Sequence, residues 1–178
     1  WEILEPEITE LFNIEKKNHY YSILPTTTAY ARNSIFSGLF PDEMSKNHPD
    51  LWVEESVEGG KNNHEEAFLE RNLSKLNCNL KFSYNKILTA QQGKQLVSGV
   101  NNLFSNNLNA VVYNFVDMLS HARTDMKMIR ELAPDESAYR SLTKSWFLHS
   151  TLFDFLKIIA EKKGKVIITT DHGTVRVK

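Results

Sequence analysis

Apolar and polar positions along this chain follow two different periods. Short apolar runs at residues 110–116 and 166–168 have the length and β-branched character of buried strands. Residues 81–87 alternate Phe82, Tyr84 and Lys86 against Ser83, Asn85 and Ile87, as a twisted or edge strand does. Between these runs the spacing is helical. Residues 65–76 bring Phe68, Leu69, Leu73 and Leu76 together, and residues 89–104, opened by Thr89 as cap, bring Leu96, Val100, Leu103 and Phe104 onto one face. Further helices are expected over 124–132, from Pro134-Asp135-Glu136 through Phe147, and over 152–163, where Gly164 stops the run. Nearer the N-terminus, residues 20–24 read as a short strand ended by Pro25. Residues 29–39 then read as a helix with Thr28 as N-cap, Ile35, Phe36 and Leu39 as its apolar stripe, and Gly38-Leu39-Phe40-Pro41 as its stop. Residues 45–63 turn polar around Pro49, Gly59, Gly60 and Asn62-Asn63, the composition of a surface excursion.

Helices alternating with apolar strands predict an α/β fold with a mainly parallel sheet covered by helices on both faces. The length of 178 residues suits one domain with a real core. With 21 Lys+Arg against 22 Asp+Glu the net charge is -1, so there is no broad pull toward nucleic acid or an anionic membrane, and anion binding has to be local. Cys78 is the only cysteine, which excludes an internal disulfide and a cysteine-built metal cage and predicts a small half-buried side chain in a reducing compartment. No run of about 18 apolar residues and no basic-then-apolar leader is visible, so a cytoplasmic protein without a membrane partner is expected. The chain starts at Trp1 and stops at Lys178 inside an expected strand over 174–177, as though both ends were cut from something longer.

The chemistry sits at strand ends. The run at 166–168 leads through Thr169 and Thr170 into Asp171-His172-Gly173, delivering a carboxylate and an imidazole together where open α/β sheets place ligands. Asp117 and His121 follow the run at 110–116, four residues apart, a spacing that suits a strand-end carboxylate and an imidazole one helical turn on, both facing one ion. Each pair also has an ordinary reading, as a helix cap with a satisfied histidine or as an Asx-type turn. Their duplication argues for a two-metal hydrolase. Thr28 supplies a nucleophile whose hydroxyl a zinc-like cation could ionise, at a helix N-terminus whose N–H groups favour a phosphate. Arg32, one turn on, could reach the same oxyanion or pair with a carboxylate. Tyr30, Phe40 and Trp52 could stack on a nucleobase or belong to the core.

These motifs resemble a known family. Residues 26–41, from Thr26-Thr27-Thr28 to Gly38-Leu39-Phe40-Pro41, are similar to the nucleophile segment of the alkaline phosphatase superfamily, in which the nucleophile lies ten residues before that Gly; this picks out Thr28. The segments around Asp117-Met118-Leu119-Ser120-His121 and Thr169-Thr170-Asp171-His172-Gly173 resemble its later metal motifs, in order. More narrowly, the chain resembles the PglZ-type effector domain of PorX-like response regulators, bacterial two-component proteins linked to type IX secretion. That resemblance implies two Zn2+ ions, with Mn2+ as the alternative. Asp171, His172 and the Thr28 oxygen would belong to one site and Asp117 and His121 to the other. Each site would be one ligand short within these residues, so the isolated stretch is expected to be inactive. His149 is the local substitute to weigh, but it reads as a helix-end residue favoured by the dipole.

The resemblance implies in-line attack by Thr28 on a phosphodiester, a linear or cyclic oligonucleotide, with Arg32 assisting, in the output domain of a protein whose partner is an upstream receiver domain. A homodimer is left open. A different reading keeps the fold, loses the chemistry and uses the surface as a regulatory protein-binding module.

Overall fold

The computed structural model describes residues 1–53, 57, 59–114, 119 and 125–173. In chain order its elements are α1 (Glu5–Leu11), α2 (Thr28–Ser37), α3 (Pro41–Asn47), α4 (Glu65–Lys75), β1 (Phe82–Ile87), α5 (Ala90–Ser98), α6 (Val100–Leu103), β2 (Leu108–Tyr113), α7 (Lys127–Leu132), α8 (Glu136–Leu148) and α9 (Thr151–Glu161). They divide into two compact units. One comprises Trp1–Lys17 with Lys81–Val166, the other Asn18–Leu80 with Ile167–Lys178.

The first unit is built on a β-α-β crossover. β1 and β2 pair in parallel, with Phe82 opposite Leu108 and Ile87 opposite Tyr113. α5 starts where Thr89 was expected to cap: its hydroxyl accepts from the Gln92 N–H at 3.3 Å while Gln92 Oε1 accepts from the Thr89 N–H at 3.0 Å. The expected helix over 89–104 breaks at Gly99 into α5 and α6. Ile87, Leu96, Val100 and Phe155 form one apolar cluster, and Ile8, Phe147, Phe153 and Leu156 form a second, in which α1 meets the last two helices. α1 has no counterpart in the apolar pattern read above; it carries Pro6 in its first turn and buries Ile8. Asp135 and Ser150 cap α8 and α9, accepting from Ala138 N–H at 2.8 Å and Phe153 N–H at 3.2 Å.

In the second unit α2 lies against α4. α2 ends at Gly38, whose φ of 64° is left-handed, and a Cβ there would come within 3.1 Å of the Asn72 amide. The residues read as a polar excursion are partly structured: α3 starts at Pro41, and Met44 and Leu51 join Leu39 and Phe68 in a buried cluster. Met44 and Leu51, seven positions apart among polar residues, gave no periodic signal. Beyond α3, Arg71 donates to His48 Nδ1 at 3.0 Å and to Asp50 Oδ1 at 2.9 Å, so Nδ1 is the acceptor and the His48 ring is neutral. Burial pushes the His48 pKa below its ordinary value, and the Arg71 charge adds to this. The Arg71 hydrogen bond holds the Asp50 carboxyl below the usual range.

The structure departs from several expectations and does not reach others. The fold is α/β; among the described residues the sheet is one parallel pair, and a mainly parallel sheet with helices on both faces is not shown. Residues 20–24 and 166–168 form no strand among the described residues, and Ile167 is 94 % exposed. An apolar run specifies a strand only when another strand's N–H and C=O groups meet it. Cys78 is exposed rather than half-buried. The stretches at 115–118 and 174–177 lie outside the described residues. No helix among the described residues is long and apolar enough to cross a membrane.

Two stability predictions arise. A Cβ on Gly93 would lie 2.1 Å from Thr151 Oγ1, so Gly93→Ala should lower stability by about 1–3 kcal/mol despite the helix propensity gained. Adding Thr151→Ala should recover part of the loss, read as the midpoint shift in urea denaturation. His48, its pKa lowered on folding, binds more protons unfolded than folded, so stability should fall as pH drops through about 6.5 toward the folded value. The difference between wild type and His48→Asn in melting temperature from pH 7.5 to 5 should isolate that contribution.

Candidate active site

Thr28 is the first residue of α2, and the helix caps on Thr27, not Thr28 as expected. Thr27 is extended, with φ −116° and ψ 149°, and its side chain makes no cap hydrogen bond. The first N–H groups of α2, which have no intrahelical acceptor, therefore receive none from the cap side chain. The Thr28 hydroxyl turns elsewhere: Oγ1 lies 3.1 Å from His172 Nε2. His172 Nδ1 is 3.0 Å from the Gly173 carbonyl, which can only accept, so Nδ1 carries the proton and Nε2 receives the Thr28 O–H. Asp171 adjoins them. Its Oδ2 is 4.0 Å from His172 Nε2 and its Oδ1 accepts from the His172 N–H at 3.1 Å. A hydroxyl, a carboxylate and an imidazole thus converge from α2 and the segment after Ile168.

Among the described residues no sheet holds that segment. Polar ties to residues 20–22 do so instead: Ser22 donates to the Asp171 carbonyl at 2.7 Å, Tyr20 donates to the Thr170 carbonyl, and the Tyr20 and Thr169 hydroxyls meet at 2.9 Å. Thr170 Oγ1 donates to the His172 carbonyl at 2.9 Å. On the helix side, Asn62 donates to the Thr28 carbonyl at 3.1 Å, and Asn33, buried, donates to the Ala29 and Lys61 carbonyls, each at 2.8 Å. These residues were not singled out from sequence. Asn62-Asn63 read as a turn signal, and nothing local marks an asparagine that ties a loop to a helix's first turn.

Arg32, expected to reach an oxyanion, donates through Nε to Glu65 Oε1, the ordinary pairing weighed beside that role. The Glu65 side chain is 0 % exposed and begins α4, where the positive end of the helix favours a carboxylate. Tyr30 and Trp52 stack on each other at 5.9 Å, whereas Phe40 stays exposed. His149 belongs to the first unit, at the C-cap of α8, with Nδ1 2.7 Å from the Ser145 carbonyl of its own helix. Asp117 and His121 lie outside the described residues. Among the described residues no group of three or more His, Cys, Asp or Glu gathers around one point.

The donor chemistry of Thr28, Asp171 and His172 fits a zinc-like cation. It offers two oxygens and a nitrogen whose ring partner, Nδ1, is fixed by a backbone carbonyl, as in protein zinc sites. The sequence matches the family described as BREX system PglZ alkaline phosphatase-like domain over residues 1–178. The chain belongs to the PglZ family. An alkaline phosphatase-like domain points to a hydrolase of the phosphoesterase type, in keeping with the superfamily motifs read from the sequence. No match was found among curated proteins.

The buried pair gives this PglZ domain a test of how α2 is held. Glu65→Ala leaves Arg32 without its buried carboxylate and should cost about 3–5 kcal/mol in denaturant unfolding. Glu65→Leu combined with Arg32→Met should cost distinctly less.

Proposed function

We propose that this PglZ domain hydrolyses phosphodiesters, on linear or cyclic oligonucleotides, with Thr28 as nucleophile. The setting proposed is the output domain of a cytoplasmic bacterial response regulator of the PorX type, coupled to an upstream receiver domain. The observation that carries the activity is the Thr28–His172 hydrogen bond beside Asp171, at the start of α2.

Each residue has a role in that reading. Thr28 Oγ1 attacks phosphorus; the oxygen–phosphorus bond to Thr28 forms as the bond to the departing ester oxygen breaks, and a phosphodiester of Thr28 results that keeps the other ester group. His172 Nε2 holds the Thr28 proton in the resting site and keeps Oγ1 at one orientation. The open first turn of α2 offers N–H groups to the non-bridging oxygens. Arg32 carries a positive charge one turn further on, oriented by Glu65. Water then cleaves the bond between Thr28 and phosphorus, restores the hydroxyl and releases the retained group as a phosphomonoester. Asp171, His172 and Thr28 Oγ1 would hold one Zn2+ or Mn2+, His172 through the Nε2 that otherwise accepts the Thr28 O–H, and Asp117 with His121 the other. When bound, these cations would supply the Lewis-acid charge that favours an ionised hydroxyl and balances the phosphoryl oxygens. The mainly parallel sheet expected of the family belongs to this proposal for the intact domain.

The test is turnover of bis(p-nitrophenyl) phosphate by the complete protein together with its zinc content. Wild type should lose turnover on chelation and regain it with Zn2+ or Mn2+. Thr28→Ala should lower kcat by at least about 10³-fold while keeping its metal content. Retained zinc with no Thr28-dependent turnover would replace this reading by that of a catalytically silent protein-binding module.

A further inference from the structure

The turn that carries Asp171 and His172 is closed on itself. Asp171 Oδ1 accepts from the His172 N–H at 3.1 Å, Thr170 Oγ1 donates to the His172 carbonyl at 2.9 Å, and His172 Nδ1 meets the Gly173 carbonyl at 3.0 Å. These bonds shape residues 170–173 from within. Attachment to the rest of the unit comes from residues 20–28. Tyr20 reaches Thr169 and Thr170, Ser22 reaches the Asp171 carbonyl at 2.7 Å, and Thr28 reaches His172 at 3.1 Å. The partners advance together along both segments, so the two run side by side in one direction. Tyr21, between the two tied residues, is 101 % exposed, so alternate residues make the contacts.

The atoms that the ties leave alone matter as much. Tyr20 and Ser22 donate to backbone carbonyls, so neither competes for Asp171 Oδ2 or His172 Nε2, which would meet a cation. A cation binds only the fraction of molecules in which those atoms stand together with Thr28 Oγ1, and its apparent affinity falls in proportion when that fraction falls. Ile167 is 94 % and Ile168 47 % exposed, so apolar packing does little to hold the segment, and the hydroxyl ties set the fraction.

We infer that Tyr20 and Ser22 are positioning residues for the metal site: their hydroxyls hold Asp171 and His172 against Thr28 and thereby set the affinity of that one site without touching the ion. The inference rests on the metal-binding part of the proposal above.

The test is stepwise Zn2+ binding to the metal-free complete protein, read by competition with a chromophoric chelator. Asp171→Ala identifies the step that belongs to this site. Tyr20→Phe combined with Ser22→Ala should weaken that step roughly ten- to hundredfold, the effect of removing groups that orient metal ligands, and leave the other step unchanged. The melting temperature of the metal-free protein should stay at the wild-type value, because the segment opens locally. Ser22→Thr, which keeps the hydroxyl, should bind as wild type does, and Tyr21→Phe should have no effect. Unchanged affinity in the double variant, or weakening of both steps together with a lower melting temperature, would overturn the inference. Turnover of bis(p-nitrophenyl) phosphate by the same preparations separates it from the phosphodiesterase reading. A weakened step with no turnover by wild type would keep the positioning role and remove the phosphodiesterase. Chelator-sensitive turnover with an unchanged step would keep the hydrolase and remove the positioning role. A wild type that binds neither Zn2+ nor Mn2+ and turns over nothing would overturn both.

Discussion

The candidate site depends on a small set of hydrogen bonds between two segments far apart in sequence. Ser22 and Asp171 are 149 residues apart, and Thr28 and His172 are 144 apart. Closing so long a loop costs entropy, and each hydrogen bond returns on the order of 1 kcal/mol net. One Thr–His contact would not hold the arrangement alone. The ties from Tyr20 and Ser22 to residues 169–171 fix the backbone so that the imidazole arrives with its Nε2 already aimed at Oγ1. No apolar burial assists at Ile167 or Ile168, both exposed.

The helix carrying Thr28 is held by the same means. Its buried positions are Ala31, Asn33 and Ser37, a poor apolar face, and Ile35, expected in the stripe, is exposed. Asn33, Asn62 and Asn72 fasten its backbone carbonyls, and Arg32 is fastened to Glu65. Directional bonds fix the rotation of a helix about its axis more narrowly than an apolar stripe, which can slide among similar packings. For a residue that must present one oxygen in one direction, this is the appropriate way to hold it.

This explains what the sequence could and could not convey. Helices with a real apolar stripe or a capping signature, such as α4, α5, α8 and α9, were legible to within a few residues, because Phe68, Thr89, Asp135 and Gly164 act locally. The strands β1 and β2 were legible, one from alternation and one from an apolar run; their pairing was not. The run at 166–168 was misread, since periodicity reports what a segment could bury and not what it meets. At the site, the chemically distinctive residues Thr28, Asp171 and His172 stood out by motif. Tyr20, Ser22, Asn62 and Glu65 did not, because positioning groups are ordinary residue types whose meaning lies in a partner far along the chain.

Electrostatics carries the argument one step further. Asp171 brings negative charge beside Thr28 and His172, and the guanidinium of Arg32 is already paired with Glu65. The α2 N-terminus contributes roughly half an elementary charge. A phosphodiester is a monoanion and gains negative charge on its leaving oxygen during transfer, so these groups leave its charge under-compensated. A divalent cation at the carboxylate and imidazole would reverse the sign of the field at Oγ1, which supports the proposed metal as a requirement for anion binding as well as for chemistry.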